Sequence, residues 1–175
     1  EGRAGPPPPV PPRRPARAAV APPPPPAPDR LWGTADPAAV RALLPEPAVL
    51  VVKGGEGPAV AFERPRGTGG QAAEDEVTTV PAPRVDVLAS VGAGDGFAAG
   101  YLSAALRGLG ARARLRHGHL AAAAALTAPG DLAAPPRRAH ADRLAALDEH
   151  AWGRLHLGPG WTSAGTEADE EVRTG

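Results

Sequence analysis

The stretch that decides the fold is Ser90-Val91-Gly92-Ala93-Gly94-Asp95-Gly96-Phe97-Ala98-Ala99-Gly100-Tyr101. Strand-like residues Val85 to Leu88 lead into it, and an apolar four-residue repeat (Phe97, Tyr101, Ala105, Leu109) leaves it as a helix over about 95–109. Small residues let the backbone turn tightly and approach a ligand closely. The N–H groups of Gly92, Ala93, Gly94 and Asp95 then converge at a helix N-terminus, where hydrogen bonds and the helix dipole together favour a phosphate. A carboxylate cannot bind phosphate, but Asp95 can accept the proton of a hydroxyl that attacks one. An anion-binding turn plus one base is most of what phosphoryl transfer requires, since that reaction depends on positioning and charge stabilisation. The plainer reading is an Asp-bearing helix start after a glycine turn.

Upstream, Asp36-Pro37 is an N-cap and first-turn pair, and Val40, Leu43 and Leu44 share one face of the short helix it opens. Pro45 and Pro47 stop that helix. Val49 to Val52 is a continuous apolar run, the pattern of a strand covered on both faces. A turn through Lys53 to Pro58 returns the chain as a second strand over 59–62, and a polar, glycine-rich loop over 64–76 precedes another strand over 77–80. Downstream, helices are expected over about 111–127, ended by Pro129-Gly130, and over about 137–152, with Leu144, Leu147 and Trp152 near one face. Strands followed by helices argue for an α/β layer structure.

Composition divides the chain. Of 24 prolines, 13 fall in residues 1–28, whereas all but three of the 31 Leu, Val and Phe residues lie between Leu31 and Trp161. Residues 1–30 therefore read as a proline-rich, disordered, low-complexity segment of polyproline II character, with no helix interior or central strand. A ligand for a domain that grips proline-rich strands, through Pro11 to Pro15, is the alternative. Residues 31–162 form the folded unit and 163–175 an acidic, disordered tail. The chain has no Cys, which excludes disulfides, thiolate metal sites and a cysteine nucleophile. No apolar run approaches the roughly 20 residues that span a bilayer. No secretory signal is visible, so a cytoplasmic location is expected. The absence of Met reads as a processed or incomplete chain.

The stretch ASVGAGDGFAAGYLSA closely resembles the C-terminal signature of the ribokinase (PfkB) family of sugar kinases, usually DTVGAGDAFxAG. The resemblance implies that Asp95 is the catalytic base and that Gly92, Ala93 and Gly94 form the anion hole for the transferred phosphate. VLVVKGGEGPAVAFE is similar to the family's strand, K-x-G-x-x-G-A turn and return strand, which places Lys53, Gly55 and Ala59 beside the nucleotide. GHLAAAAALTAPGD resembles the adenine-side helix and the loop after it, which brings in His119. The segment from Gly130 to Thr162 looks most like 2-keto-3-deoxygluconate kinases.

The implied fold is the C-terminal part of a three-layer α/β/α structure with an incomplete sheet, and self-association is expected of its uncovered faces. The implied substrates are ATP, with Mg²⁺, and a sugar or sugar acid. Ala89, Pro58 and Gly96 depart from the family pattern, Gly96 as a minor loosening of the helix start. The N-x-x-E motif that places magnesium cannot exist in a chain without Asn, and no residue is assigned to a metal. The proline tract stands where the family's sugar-binding half would be, so little or no activity is expected of this chain alone. A non-catalytic nucleotide-binding relic, or a proline-rich interaction protein on a kinase-like scaffold, are the competing readings.

The other candidates are weaker. His117 and His119 lie two apart, a poor metal pair on a helix, and read as solvent-facing or nucleotide-edge residues. His140, His150 and His156 read as surface residues. Arg112, Arg114 and Arg116 do not make a nucleic-acid surface in a neutral chain with 3% aromatic residues. Lys53, the sole lysine, either reaches a phosphate or is a plain turn residue.

Overall fold

The computed structural model describes residues 18–21, 36–54, 57–65, 74–129 and 133–163. Four strands, β1 (Ala18–Ala21), β2 (Val49–Lys53), β3 (Ala59–Glu63) and β4 (Glu76–Val80), form one sheet in that order. β1 runs parallel to β2, and β2, β3 and β4 are successively antiparallel. Val51 pairs with Ala61 and Leu50 with Phe62, so side chains of one parity point to one face of the sheet.

That alternation builds two cores. Leu50, Val52, Val60 and Phe62 face helix α1 (Pro37–Leu43) and meet Val40 and Leu44. Val51, Ala59, Ala61 and Val80 face the opposite way, toward α2 (Ala93–Leu106) and α3 (Ala111–Thr127). The apolar run at 49–52 is thus covered on both sides, as its continuity predicted. The result is an α/β/α layering. Asp36 caps α1, its Oδ1 accepting from the Ala38 N–H at 3.1 Å, and Pro37 follows at the first helical position. Arg41 ties this layer to the sheet. Its guanidinium holds Asp75 through Nε at 2.6 Å and Nη2 at 2.8 Å, and Nη1 donates to the carbonyls of Leu44 and Pro47. Leu43, expected on the buried face, is exposed instead.

The second face is built by glycine. A Cβ on Gly96 would lie 2.9 Å from the Ala121 carbonyl oxygen. One on Gly100 would run into the His117 carbonyl and sit 2.7 Å from the Ala121 Cβ, and one on Gly118 would meet the Phe97 ring at 2.8 Å. Gly96 is therefore not a loosening of the helix start. It is part of a four-residue glycine step that lets α2 and α3 approach backbone to backbone. Phe97, Tyr101, Leu115 and Leu120 then fill the space between this pair and the sheet.

Three further differences from the sequence expectations have physical causes. Ala18–Ala21 lies inside the tract read as disordered and without a central strand; it sits in the longest proline-free run there, residues 16–21, and it forms an edge strand, the place a sheet tolerates such a neighbourhood. Residues 1–17 and 22–35 lie outside the described residues, as does the tail beyond 163. Of the expected 85–88 strand only Val85 is in a strand, β5 (Arg84–Val85), whose parallel partner β6 (His156–Leu157) is two residues long. The helix expected over 137–152 is two, α4 (Arg138–Ala145) and α5 (Glu149–Gly153). Asp148 interrupts it by capping α5, with Oδ1 accepting from the Ala151 N–H at 2.7 Å.

Trp152 and Trp161 close the packing of this end. Both are buried, and their indole N–H groups donate to the Pro81 carbonyl at 2.9 Å and the Thr127 hydroxyl at 3.1 Å. Arg116 stacks 4.7 Å above the Trp152 ring, and Glu149 pairs with both Arg112 and Arg116. Arg114 pairs with Glu63 at 2.6 Å. The arginine run on α3 is thus consumed by internal ion pairs.

Candidate active site

After β5 the chain is strapped to the C-terminal end of α3: the N–H groups of Leu88 and Ala89 both donate to the Leu126 carbonyl, at 2.8 and 3.2 Å. From there it enters a turn in which Gly92 has φ 79°, a left-handed conformation that costs glycine nothing. The Gly96 N–H donates to the Gly92 carbonyl at 2.8 Å, the first bond of α2. Ala93, Gly94 and Asp95 therefore occupy the first helical turn, whose N–H groups have no intrahelical acceptor. No side chain caps this end. A Cβ at Gly92 or Gly94 would touch nothing within 4 Å, so a ligand can approach the turn. The carboxylate of Asp95 stands on the same turn and is exposed.

Of the residues proposed for the nucleotide, Lys53 ends β2 with its Nζ 5.8 Å from the centroid of the Phe97 ring, two residues beyond Asp95. Burial pushes its pKa below the usual lysine value. The β2–β3 turn therefore leaves Lys53 beside the buried Phe97 of α2. Ala59 is fully buried in the core, and its backbone lies between Lys53 and Val80 in the sheet, so the structure gives it a packing role. Gly55 lies outside the described residues.

His119 is neither solvent-facing nor on an edge open to a nucleotide. It is 3% exposed, its Nε2 lies 3.2 Å from the Val80 carbonyl, and its ring stands edge-on to Phe97 at 5.3 Å. Burial, helped by the nearby Lys53 charge and opposed by the Val80 bond, brings its pKa down to about 4. At neutral pH the ring is uncharged, and Nε2–H is the donor to Val80. His117 is buried as well, with Nε2 3.1 Å from Asp142; burial lowers its pKa and Asp142 partly counters this. Of the other histidines, His150 and His156 are exposed, and His140 is partly covered by Trp161.

The structure thus gathers Lys53 and His119 around Phe97 and leaves Gly92, Gly94 and Asp95 exposed, with Ala93 partly buried against the core. The supports that motif reading missed are Phe97, Val80, Leu126 and the glycines of α2 and α3. Their signal was glycine inside a helical pattern, which marks a close backbone approach. A cleft of about 600 Å³ lies away from all of this, at the N-terminus of α3, lined by Gly110, Arg112, Arg116, Leu147 and Glu149 among others. Among the described residues no three His, Asp or Glu side chains gather to hold a metal ion, and no helix is long and apolar enough to cross a membrane.

The profile of the pfkB family carbohydrate kinases matches residues 28–138. Among solved structures, the chain is similar to an E. coli protein assigned as ribokinase II, in its apo form. That match has 21% identity and a TM-score of 0.51, over 63% of this chain and 33% of that one. A probable sugar kinase from Rhizobium etli CFN 42 matches at 25% identity and a TM-score of 0.46, over 57% of this chain and 28% of that one. A Burkholderia thailandensis nucleoside kinase in complex with inosine matches at 24% identity and 0.46, over 72% and 36%. The chain therefore spans about a third of the length of the solved structures it matches. No curated protein matches it significantly.

Proposed function

The chain belongs to the pfkB family of carbohydrate kinases, and from that premise we propose that it supplies the phosphoryl-transfer side of an ATP-dependent kinase acting on a sugar or sugar acid such as 2-keto-3-deoxygluconate. The observation that carries this reading is the exposed Asp95 on the same uncapped helical turn as Gly92, Ala93 and Gly94. The first-turn N–H groups hold the γ-phosphoryl oxygens, and the dipole of a 14-residue helix adds to them. Asp95 accepts the proton of the acceptor hydroxyl as that oxygen bonds to the γ-phosphorus and the bond to ADP breaks. Lys53, with its Nζ 5.8 Å from the centroid of the Phe97 ring, is in this reading the cation that serves the nucleotide phosphates. Magnesium belongs to the nucleotide in this reading, and no residue of the chain is assigned to it. The location that fits such an enzyme is the cytoplasm.

By itself the chain is expected to bind ATP and to phosphorylate little or no sugar, because no described residue is placed to hold the acceptor opposite Asp95. The test is ³¹P NMR of the purified chain with ATP, magnesium and a panel of sugar acids, beside thermal unfolding with and without ATP. ATP-dependent stabilisation without turnover is the expected result. Turnover that Asp95→Asn abolishes would overturn the expectation of inactivity. No stabilisation at millimolar ATP would overturn the nucleotide assignment itself.

A further inference from the structure

The first turn of α3 opens into the cleft of about 600 Å³ that lies away from the Asp95 turn: Gly110, Ala111, Arg112 and Ala113 all line it. Gly110 precedes a 17-residue helix, no side chain caps that end, and a Cβ on Gly110 would meet nothing within 4 Å. The N–H groups of Ala111, Arg112 and Ala113 have no intrahelical acceptor, and the helix dipole is positive there. A bare helix start is common and by itself marks nothing. The second observation is Arg116, one turn further along the same helix. Its side chain lines the cleft and is only 4% exposed. Stacking on Trp152 and hydrogen bonds from Nη1 to the Ala145 and Leu147 carbonyls fix the guanidinium in place. Its Nε is buried and has no hydrogen-bond partner among the described residues. A buried donor on a charged group is costly to leave without an acceptor.

Glu149 brings one carboxylate oxygen, Oε1, to both Arg112 and Arg116, from a side chain that is 63% exposed. Glu76 is the other acid of the cleft. We propose that this cleft is a phosphate site separate from the Asp95 turn, for free phosphate or for the phosphate of a small phosphorylated molecule, and that the ligand displaces Glu149 from the two arginines. A phosphate dianion offers three acceptor oxygens to the N–H groups of the helix start and to the two guanidinium groups, where Glu149 offers one shared oxygen. Displacing Glu149 costs little, because an exposed carboxylate gains little from an ion pair. The cleft is larger than a phosphate, which leaves room for the organic part of a monoester.

The test is ¹⁵N-resolved NMR of the full 175-residue chain, titrated with inorganic phosphate and separately with glycerol phosphate. The amides of Ala111, Arg112 and Ala113 should shift saturably, whatever happens at Ala93 to Asp95. Arg112→Gln removes a half-exposed cation and should weaken binding at this site by roughly fivefold. Glu149→Gln removes the competing carboxylate and should tighten it by roughly threefold. Tighter saturation by glycerol phosphate identifies a monoester as the ligand; otherwise the ligand is the free ion, and the site stands in both cases. Shifts confined to Ala93 to Asp95, or none at millimolar phosphate, would overturn the proposal. So would a Glu149→Gln chain that binds no more tightly than its parent, since Glu149 would then be a structural partner of the arginines and not a stand-in for the ligand.

Discussion

Replacing Gly100 by Ala adds one methyl group where there is no room for it. The added Cβ would run into the His117 carbonyl and lie 2.7 Å from the Ala121 Cβ. The first of these is backbone, so no rotamer change relieves it, and the two helices must separate or shift along each other. Overpacking of this kind costs about 1–3 kcal/mol, and the better helix propensity of Ala returns roughly 1 kcal/mol. Because the obstacle is main chain, we expect a net loss of about 2 kcal/mol, toward the upper end of that range. Gly94→Ala is the matched control: it is helical too, but its Cβ would meet nothing within 4 Å. There the propensity term acts alone, and stability should rise by roughly 0.5–1 kcal/mol. Urea denaturation followed by far-ultraviolet circular dichroism measures both, as opposite shifts in midpoint at unchanged slope. A Gly100→Ala protein as stable as its parent would refute the close α2–α3 approach, and with it the support drawn under the Asp95 turn.

The remaining predictions concern charge and core. The His119 pKa is depressed to about 4, so below its unfolded value of about 6.5 the unfolded chain takes up a proton that the native one refuses. Stability therefore falls as pH drops through that window, by about 2.5 kcal/mol between pH 7.5 and 4.5 from this residue. His117 adds in the same direction; denaturation at the two pH values should show the loss, and His119→Gln should shrink it. The Arg41 hydrogen bonds hold the Asp75 pKa below the usual carboxylate value, so that pair's contribution is complete above the unfolded Asp pKa and fades as pH falls through the lower folded one. Asp75→Ala strands a buried guanidinium and should cost about 2 kcal/mol at pH 7, read by the same denaturation. Leu50→Ala empties a fully buried site between the sheet and α1 and should cost about 2–5 kcal/mol, enough to lower the thermal midpoint by many degrees.

Much of the fold was legible because its signals are local. The bounds of α3, the Asp36–Pro37 start of α1 and the doubly covered β2 followed from capping chemistry and apolar patterning. The turn at Gly92 and the helix it opens were legible for the same reason, since a left-handed residue before an uncapped helix leaves a glycine in the sequence. What stayed hidden depended on distant partners. Nothing near His119 says that it faces the Val80 carbonyl 39 positions away, so it read as an accessible edge residue. β1 and β5 are strands only because β2 and β6 lie beside them. The break between α4 and α5 stayed hidden because an Asp such as Asp148 can be a cap or a surface position with the same side chain. Gly96 and Gly100 were visible as glycines, but the carbonyls of α3 that require them were not.

The central claim is that the first turn of α2 binds the phosphates of a nucleotide, and Gly94→Asp tests it most directly. The side chain enters open space, and a carboxylate suits the start of a helix, so the fold should be kept or slightly strengthened. The same carboxylate puts negative charge where the phosphate is to sit. Isothermal titration of ATP into both proteins should give saturable binding to the parent chain and binding weaker by roughly tenfold or more, about 1.4 kcal/mol, in Gly94→Asp. Equal ATP affinity in the two proteins, or none in the parent at millimolar ATP, would contradict the account.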